Sequence, residues 1–137
     1  MQVQSYLFFH GRAQEAFDFY HEKLGAERVM MMRYKDSPDP KACANIPADW
    51  QDKVMHMSFR IGETVVLASD GHATGPDGFQ NFGLSLTCKE VSEAERAFNG
   101  LVDGGKVMMP LGETFFSPKF GMVTDRFGVL WMVYVVK

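Results

Sequence analysis

One pattern occurs twice in this chain, and it constrains the fold more than any single motif does. Residues 15–29 read EAFDFYHEKLGAERV and residues 93–107 read EAERAFNGLVDGGKV, an offset of 78 residues from Glu15 to Glu93. Identity is confined to the Glu, the Ala and the closing Val, but the layout is shared. An apolar strand-like run comes first, then an amphipathic helix, then a small-residue or glycine break that opens a second strand. A repeat of this kind is weighed before local motifs, because overlooking one mis-assigns the whole fold.

Period and punctuation extend the pattern over both halves. Val3–Phe9 is predicted as a strand, and Ala13–Leu24 as a helix with Ala16, Phe17, Phe19, Tyr20 and Leu24 at helical spacing. Gly25 is suited to end that helix, since glycine adopts the left-handed conformation without steric cost. Glu27–Tyr34 follows as a strand. Asp36–Lys53, with Pro38, Pro40 and Pro47 and no period, is expected to be a long loop of the kind that serves as a lid or binding loop. Val54–Ile61 and Thr64–Ser69 form a hairpin across Gly62-Glu63, with the second strand apolar enough to be buried on both faces. The glycine-rich stretch Asp70–Gly78 reads as a linker. The plan then repeats: strand Phe82–Cys88, helix Val91–Val102, strand Lys106–Met109, a Pro-Leu-Gly loop, and strands Phe120–Asp125 and Val129–Val136. The offset falls to 64 by the last strand (Ala68 to Met132), which places 14 extra residues in the Asp36–Lys53 loop. The fold class is therefore α+β, with two strand–helix–three-strand modules, residues 1–78 and 79–137, in one compact domain.

Composition narrows the function. A net charge of −3 and a pI near 5.8 argue against nucleic acid or an anionic membrane as partner, because both require clustered Lys and Arg. No stretch approaches the roughly 20 apolar residues of a membrane span, and no signal peptide is read at Met1. Two cysteines, Cys43 and Cys88, make no disulfide framework, and a cytoplasmic location is expected. Twelve Phe and ten Met leave two readings open, a soft core or a broad apolar pocket.

Strand alternation assigns faces. Met57, Phe59, Ile61, Val65, Leu67, Trp131, Val133 and Val135 are expected to face the helices. His56, Ser58, Arg60, Val66, Ala68, Asp70, Leu130, Met132 and Tyr134 are then expected on the opposite, concave face. His56 reads either as a base or ligand donor, or as a structural His bonded to a carboxylate such as Asp70. Arg60 reads as a carboxylate or phosphate clamp or as a surface ion pair, and Asp70 as a site residue or a turn cap. Trp50, Phe115 and Phe116, all in loops, are candidate cleft walls. His10, His21 and His72 read as loop or exposed-helix residues, and Cys88 as a buried small residue.

Taken in order, the stretches YLFFHG (6–11), AFDFY (16–20), KVMH (53–56), LASD (67–70), NFGLSL (81–86), GGKV (104–107) and FGMVTDRFGVLWM (120–132) resemble the vicinal oxygen chelate superfamily. That superfamily includes glyoxalase I, bleomycin-resistance proteins and extradiol dioxygenases. Within it the chain is most similar to the PhnB-like group, also labelled 3-demethylubiquinone-9 3-methyltransferase-like. The resemblance implies curved, mixed, mostly antiparallel sheets around a cleft, and a homodimer. It also implies metal ligands on the first and fourth strands of each module, positions that match Ser5, Ala68, Gly83 and Met132 here. A hydroxyl, a methyl, a hydrogen and a thioether do not suit Zn, Ni, Mn or Fe, although a slip of one or two residues brings in His10, Asp70 or Glu113. The resulting expectation is a small-molecule binder without metal or other cofactor, its ligand held by His56, Ser58, Arg60, Asp70, Phe115, Met132 and Tyr134. The alternatives are a metal-dependent lyase, isomerase or dioxygenase with non-standard ligands, or a methyltransferase-labelled homologue of unproven activity.

Overall fold

A computed structural model of the chain describes residues 1–39, 41, 46–73 and 77–137. The chain divides into two compact units, Met1–Asp77 and Gly78–Lys137. The first contains β1 (Tyr6–Phe8), α1 (Ala13–Leu24), β2 (Glu27–Arg33), β3 (Val54–Ile61) and β4 (Thr64–Ser69). The second contains β5 (Leu84–Cys88), α2 (Val91–Val102), β6 (Lys106–Gly112), β7 (Phe120–Thr124) and β8 (Leu130–Val135). Their sheets run β1-β4-β3-β2 and β5-β8-β7-β6, each with one parallel pair (β1 with β4, β5 with β8) and the rest antiparallel. This is the predicted α+β plan of two βαβββ modules. No described helix is long and apolar enough to cross a membrane.

Each helix forms because one stripe of its sequence can be buried. Ala13, Ala16, Phe17 and Tyr20 line one side of α1, and Ala94, Ala97, Phe98 and Leu101 line the matching side of α2. Gly25 ends α1 at φ 70°, its N–H bonded to the His21 carbonyl while the Ala26 N–H reaches back to Tyr20, a Schellman closure. In the first module the helix stripe covers Leu7, Met57, Phe59, Val66 and Ala68, all at most 4% exposed. Phe59 lies 5.7 Å from the Phe17 ring and 6.0 Å from that of Tyr20.

Register corrects the predicted faces of β4. Ala68 pairs with Met57 and Val66 with Phe59, so Val66 and Ala68 face the helix, and Val65 and Leu67 take the opposite face. The buried pair Leu7–Ala68 of the first module corresponds to the pair Leu86–Val133 of the second, offsets of 79 and 65. The helices keep the offset of 78, with Ala16, Phe19 and Tyr20 buried like Ala94, Ala97 and Phe98. The difference is one residue in the strand-to-helix connection, and a slip of one residue turns a strand's side chains to the other face.

Two further corrections concern strand ends. β6 continues through Pro110 to Gly112, where a loop was expected. It is an edge strand, and an edge tolerates a residue without an N–H on its open side. β1 is shorter than expected and leaves Val3 almost fully exposed. Both edge strands β2 and β6 bulge at the same place: pairing steps from Arg28 to Met30 and from Val107 to Met109, leaving Val29 and Met108 outside the ladder. A single 3-10 turn, Tyr34–Asp36, leads into the expected Asp36–Lys53 loop, and another, Ala48–Trp50, lies within it. Pro40 and Cys43 lie outside the described residues.

Candidate functional site

The first sheet has one face covered by α1 and one turned away from it. Alternation from the register puts Tyr6 and Phe8 of β1, Val65 and Leu67 of β4, His56, Ser58 and Arg60 of β3, and Met30 and Met32 of β2 on the uncovered face. His56 is there as predicted, but its partner is not Asp70. The Tyr6 hydroxyl lies 2.8 Å from His56 Nδ1, and the two rings are 5.6 Å apart. Phe8 stacks on Tyr6 at 4.9 Å with planes 27° apart, and the two aromatics remain 54% and 38% exposed. Large apolar surface is thus left exposed beside a polar pair.

Desolvation holds the Tyr6 phenol above its ordinary pKa, the Ser69 hydroxyl opposes this, and nearby Tyr34 adds to it. Tyr6 therefore keeps its proton at neutral pH and can donate a hydrogen bond. When it donates to His56 Nδ1, the ring hydrogen of His56 belongs on Nε2. Neither Tyr6 nor Phe8 was singled out from the sequence. The available signal was alternation within Tyr6-Leu7-Phe8, which puts both aromatics on the face opposite buried Leu7.

The other predicted residues fall in different settings. Ser58 is buried between its cross-strand neighbours Met30 and Leu67. Arg60 pairs with Glu27 across β2–β3 at 2.5 Å, so its guanidinium already has a carboxylate. Asp70 lies on the helix side and is 2% exposed. Its Oδ1 accepts from the Gly11 and Ala13 amides at 2.8 Å each, and its Oδ2 from the Val54 amide at 2.7 Å. Oδ1 thus serves the N-terminus of α1, where the helix presents unpaired N–H groups and positive potential, and Oδ2 ties that end to the start of β3. Trp50, expected as a cleft wall, instead straps the first module. Its indole N–H donates to the Gly71 carbonyl at 3.0 Å, and its ring sits over Gly11.

In the second module Met132 and Tyr134 lie on the face turned from α2, beside Met122 and Phe120 of β7. Phe115, 89% exposed, is in the 113–119 connection and meets Phe116 edge-on, with ring centroids 5.2 Å apart. A residue overlooked in the sequence, Asp125, is 3% exposed. It accepts from the Phe127 and Val129 amides and from the Trp131 indole N–H at 2.9 to 3.0 Å. An Asp opening a turn that ends in Gly128 is the signal for such a bond.

The implied metal positions do not suit a metal. Ala68 offers a methyl on the helix side of its sheet, Gly83 has no side chain, and Ser5 and Met132 are poor donors for a borderline dication. Their neighbours across from the helices are Tyr6, Leu67, Ser85 and Tyr134, which add neither carboxylate nor imidazole. Glu113 is exposed, His10 contacts Trp50 at 5.8 Å, and Asp70 is committed to three amides. Among the described residues no three His, Cys, Asp or Glu side chains come together.

A two-module βαβββ architecture of this topology defines a glyoxalase-like protein. The chain belongs to the Glyoxalase/Bleomycin resistance protein/Dioxygenase superfamily, whose profile residues 2–133 match. It is 34% identical over 142 residues to Protein YjdN of Escherichia coli (strain K12), covering 100% of this chain and 97% of that one. It is similar to the crystal structure of protein PA1353 from Pseudomonas aeruginosa, with 44% identity, a TM-score of 0.86, and coverage of 99% and 98% of the two chains. It also resembles a putative 3-demethylubiquinone-9 3-methyltransferase, PhnB protein, from Bacillus cereus, with 28% identity, a TM-score of 0.81, and coverage of 99% and 100%.

Proposed function

We propose that this protein binds a small, partly apolar molecule on the uncovered face of its first sheet, using Tyr6 and His56 as the polar anchor and no metal ion. The observation that carries the reading is the 2.8 Å Tyr6–His56 contact set among exposed aromatic and methionine side chains. A phenol and an imidazole can pass a hydrogen bond to one ligand group, while Phe8, Met30 and Leu67 supply apolar contact. Met132 and Tyr134 offer a comparable apolar surface in the second module, and Phe115 an exposed aromatic. Arg60 contributes charge at the edge of the first-module face through its pair with Glu27. The working form is a cytoplasmic homodimer.

The methyltransferase wording of the Bacillus cereus neighbour is not extended to this chain. Cofactor binding of the common adenosylmethionine type uses a parallel sheet and a glycine-rich loop opening a helix. Here each sheet has a single parallel pair, and Gly104-Gly105 follows a helix.

A thermal-shift screen of metabolites against the intact protein, the Tyr6→Phe variant and the His56→Ala variant tests the proposal. Ligands that stabilise the parent and lose most of that effect in both variants support it. No stabilising ligand, or stabilisation that ignores both substitutions, overturns it. Elemental analysis of untagged protein tests the metal-free part: one tightly held transition metal per subunit favours the metal-dependent enzyme instead. Native mass spectrometry reads the dimer.

A further inference from the structure

The second module contains an open-sided groove of about 490 Å³ between α2 and the β6–β7 edge. Phe98, Val107, Pro110 and Leu111 form its walls, and Glu95, Asn99 and Lys119 stand around it. Comparison with the first module shows why the space exists. Under the helix offset of 78, Glu95 and Asn99 occupy the places of Phe17 and His21. In the first module the Phe17 ring is 8% exposed, stacks on His21 at 6.0 Å and packs on Phe59 at 5.7 Å. In the second, Phe59 is matched by the smaller Val123, and the carboxylate that replaces Phe17 turns to Lys119, 3.6 Å away. Phe98 cannot fill the gap, because its ring is already seated against Gly121, where an added Cβ would meet it at 2.8 Å. A phenyl-sized plug is therefore present in one module and missing from the other.

We propose that this groove is a second binding site, independent of the first module's face, for a single-ring aromatic molecule with an anionic group. The ring takes the volume that Phe17 takes in the first module. The anion takes Lys119, whose partner Glu95 is 49% exposed and free to swing into water. Lys119 itself is 32% exposed and lines the groove. Volume and lining match small-ligand clefts, which are mostly apolar with a few polar groups that fix orientation.

The test is a titration of the full-length protein with phenylacetate and with neutral phenylacetamide, read by methyl NMR at Val107 and Leu111. Saturable shifts at both residues are expected, with the anion bound several-fold more tightly than the amide and that preference lost in Lys119→Met. Glu95→Phe, which restores the plug, should abolish the shifts and raise Tm. If Glu95→Phe does not fold, Val107→Trp closes the same groove from a position 40% exposed on an edge strand. Absence of saturable shifts at about 10 mM ligand, where even a weak fragment is bound, overturns the proposal. So does binding that survives the folded plug variant, or equal affinity for acid and amide.

Discussion

The two modules share one fold and differ in how they staple the same junction. In each, the end of the fourth strand meets the start of the third: the Asp70 amide donates to the Val54 carbonyl at 2.8 Å, and the Val135 amide to the Lys119 carbonyl at 2.9 Å. In the first module the Asp70 carboxylate also takes the Val54 amide and caps α1. In the second, apolar Val135 holds that place, and the Ser117 hydroxyl, 1% exposed, lies 2.7 Å from the Val135 carbonyl and 2.6 Å from that of Lys119. At the start of α2, Glu93 accepts from the Lys89 amide at 2.9 Å, one residue ahead of the N-cap Glu90. A buried carboxylate close to an expected site is here explained by the backbone amides around it. The residue that carries chemical promise, His56, is instead the one paired with a phenol on an open face.

Exchanging residues between the modules tests this comparison. Asp70→Val, which installs the second module's residue in the first, leaves three amides without their charged acceptor and should cost about 3–5 kcal/mol. A urea midpoint shift equivalent to less than about 1 kcal/mol would break the contrast. Phe17→Ala should cost about 3 kcal/mol as a core truncation, against under about 0.5 kcal/mol for its counterpart Glu95→Ala, an exposed ion-pair member. Equal costs would mean that the Phe17 plug does not distinguish the two modules. Gly121→Ala should cost about 1–3 kcal/mol by driving Phe98 and Leu111 outward, whereas Met57→Leu at the matching position should cost under about 1.5 kcal/mol. The smallest effects are in titration. Burial pushes the Cys88 thiol up to about 11, so in a Cys43→Ser background its labelling near neutral pH should wait on unfolding. Its raised pKa contributes stability that is complete below the unfolded thiol's pKa and is lost as pH rises through about 11. Tyr6→Phe should remove one late step from the alkaline ultraviolet titration of the four tyrosines.

Helical period, glycine punctuation and internal repetition made the modules legible from the sequence, since these patterns follow directly from backbone geometry. The faces of β4 were not legible. The strands β1 and β5 are offset by 79 residues where the helices are offset by 78, and alternation magnifies that one-residue difference into a reversal. His56 was placed correctly because β3 keeps its register, while Tyr6 was overlooked because its partner is 50 residues away. Trp50 looked like a free loop aromatic for the same reason: the Gly71 carbonyl that holds it is distant in sequence. Pro110 looked like a strand breaker because edge position is a property of the sheet, which no local window contains.

The Asp70 cap also sets an order of events as the chain emerges and folds. The bond from the Ala13 amide to Asp70 closes 57 residues, whereas that from Lys89 to Glu93 spans 4. Closing the longer loop loses more chain entropy before any contact rewards it. The first helix, although synthesised earlier, should therefore be completed later than the second. Pulse-labelled hydrogen exchange should find the Lys89 amide protected ahead of that of Ala13, and simultaneous protection would show that the cap plays no part in the timing.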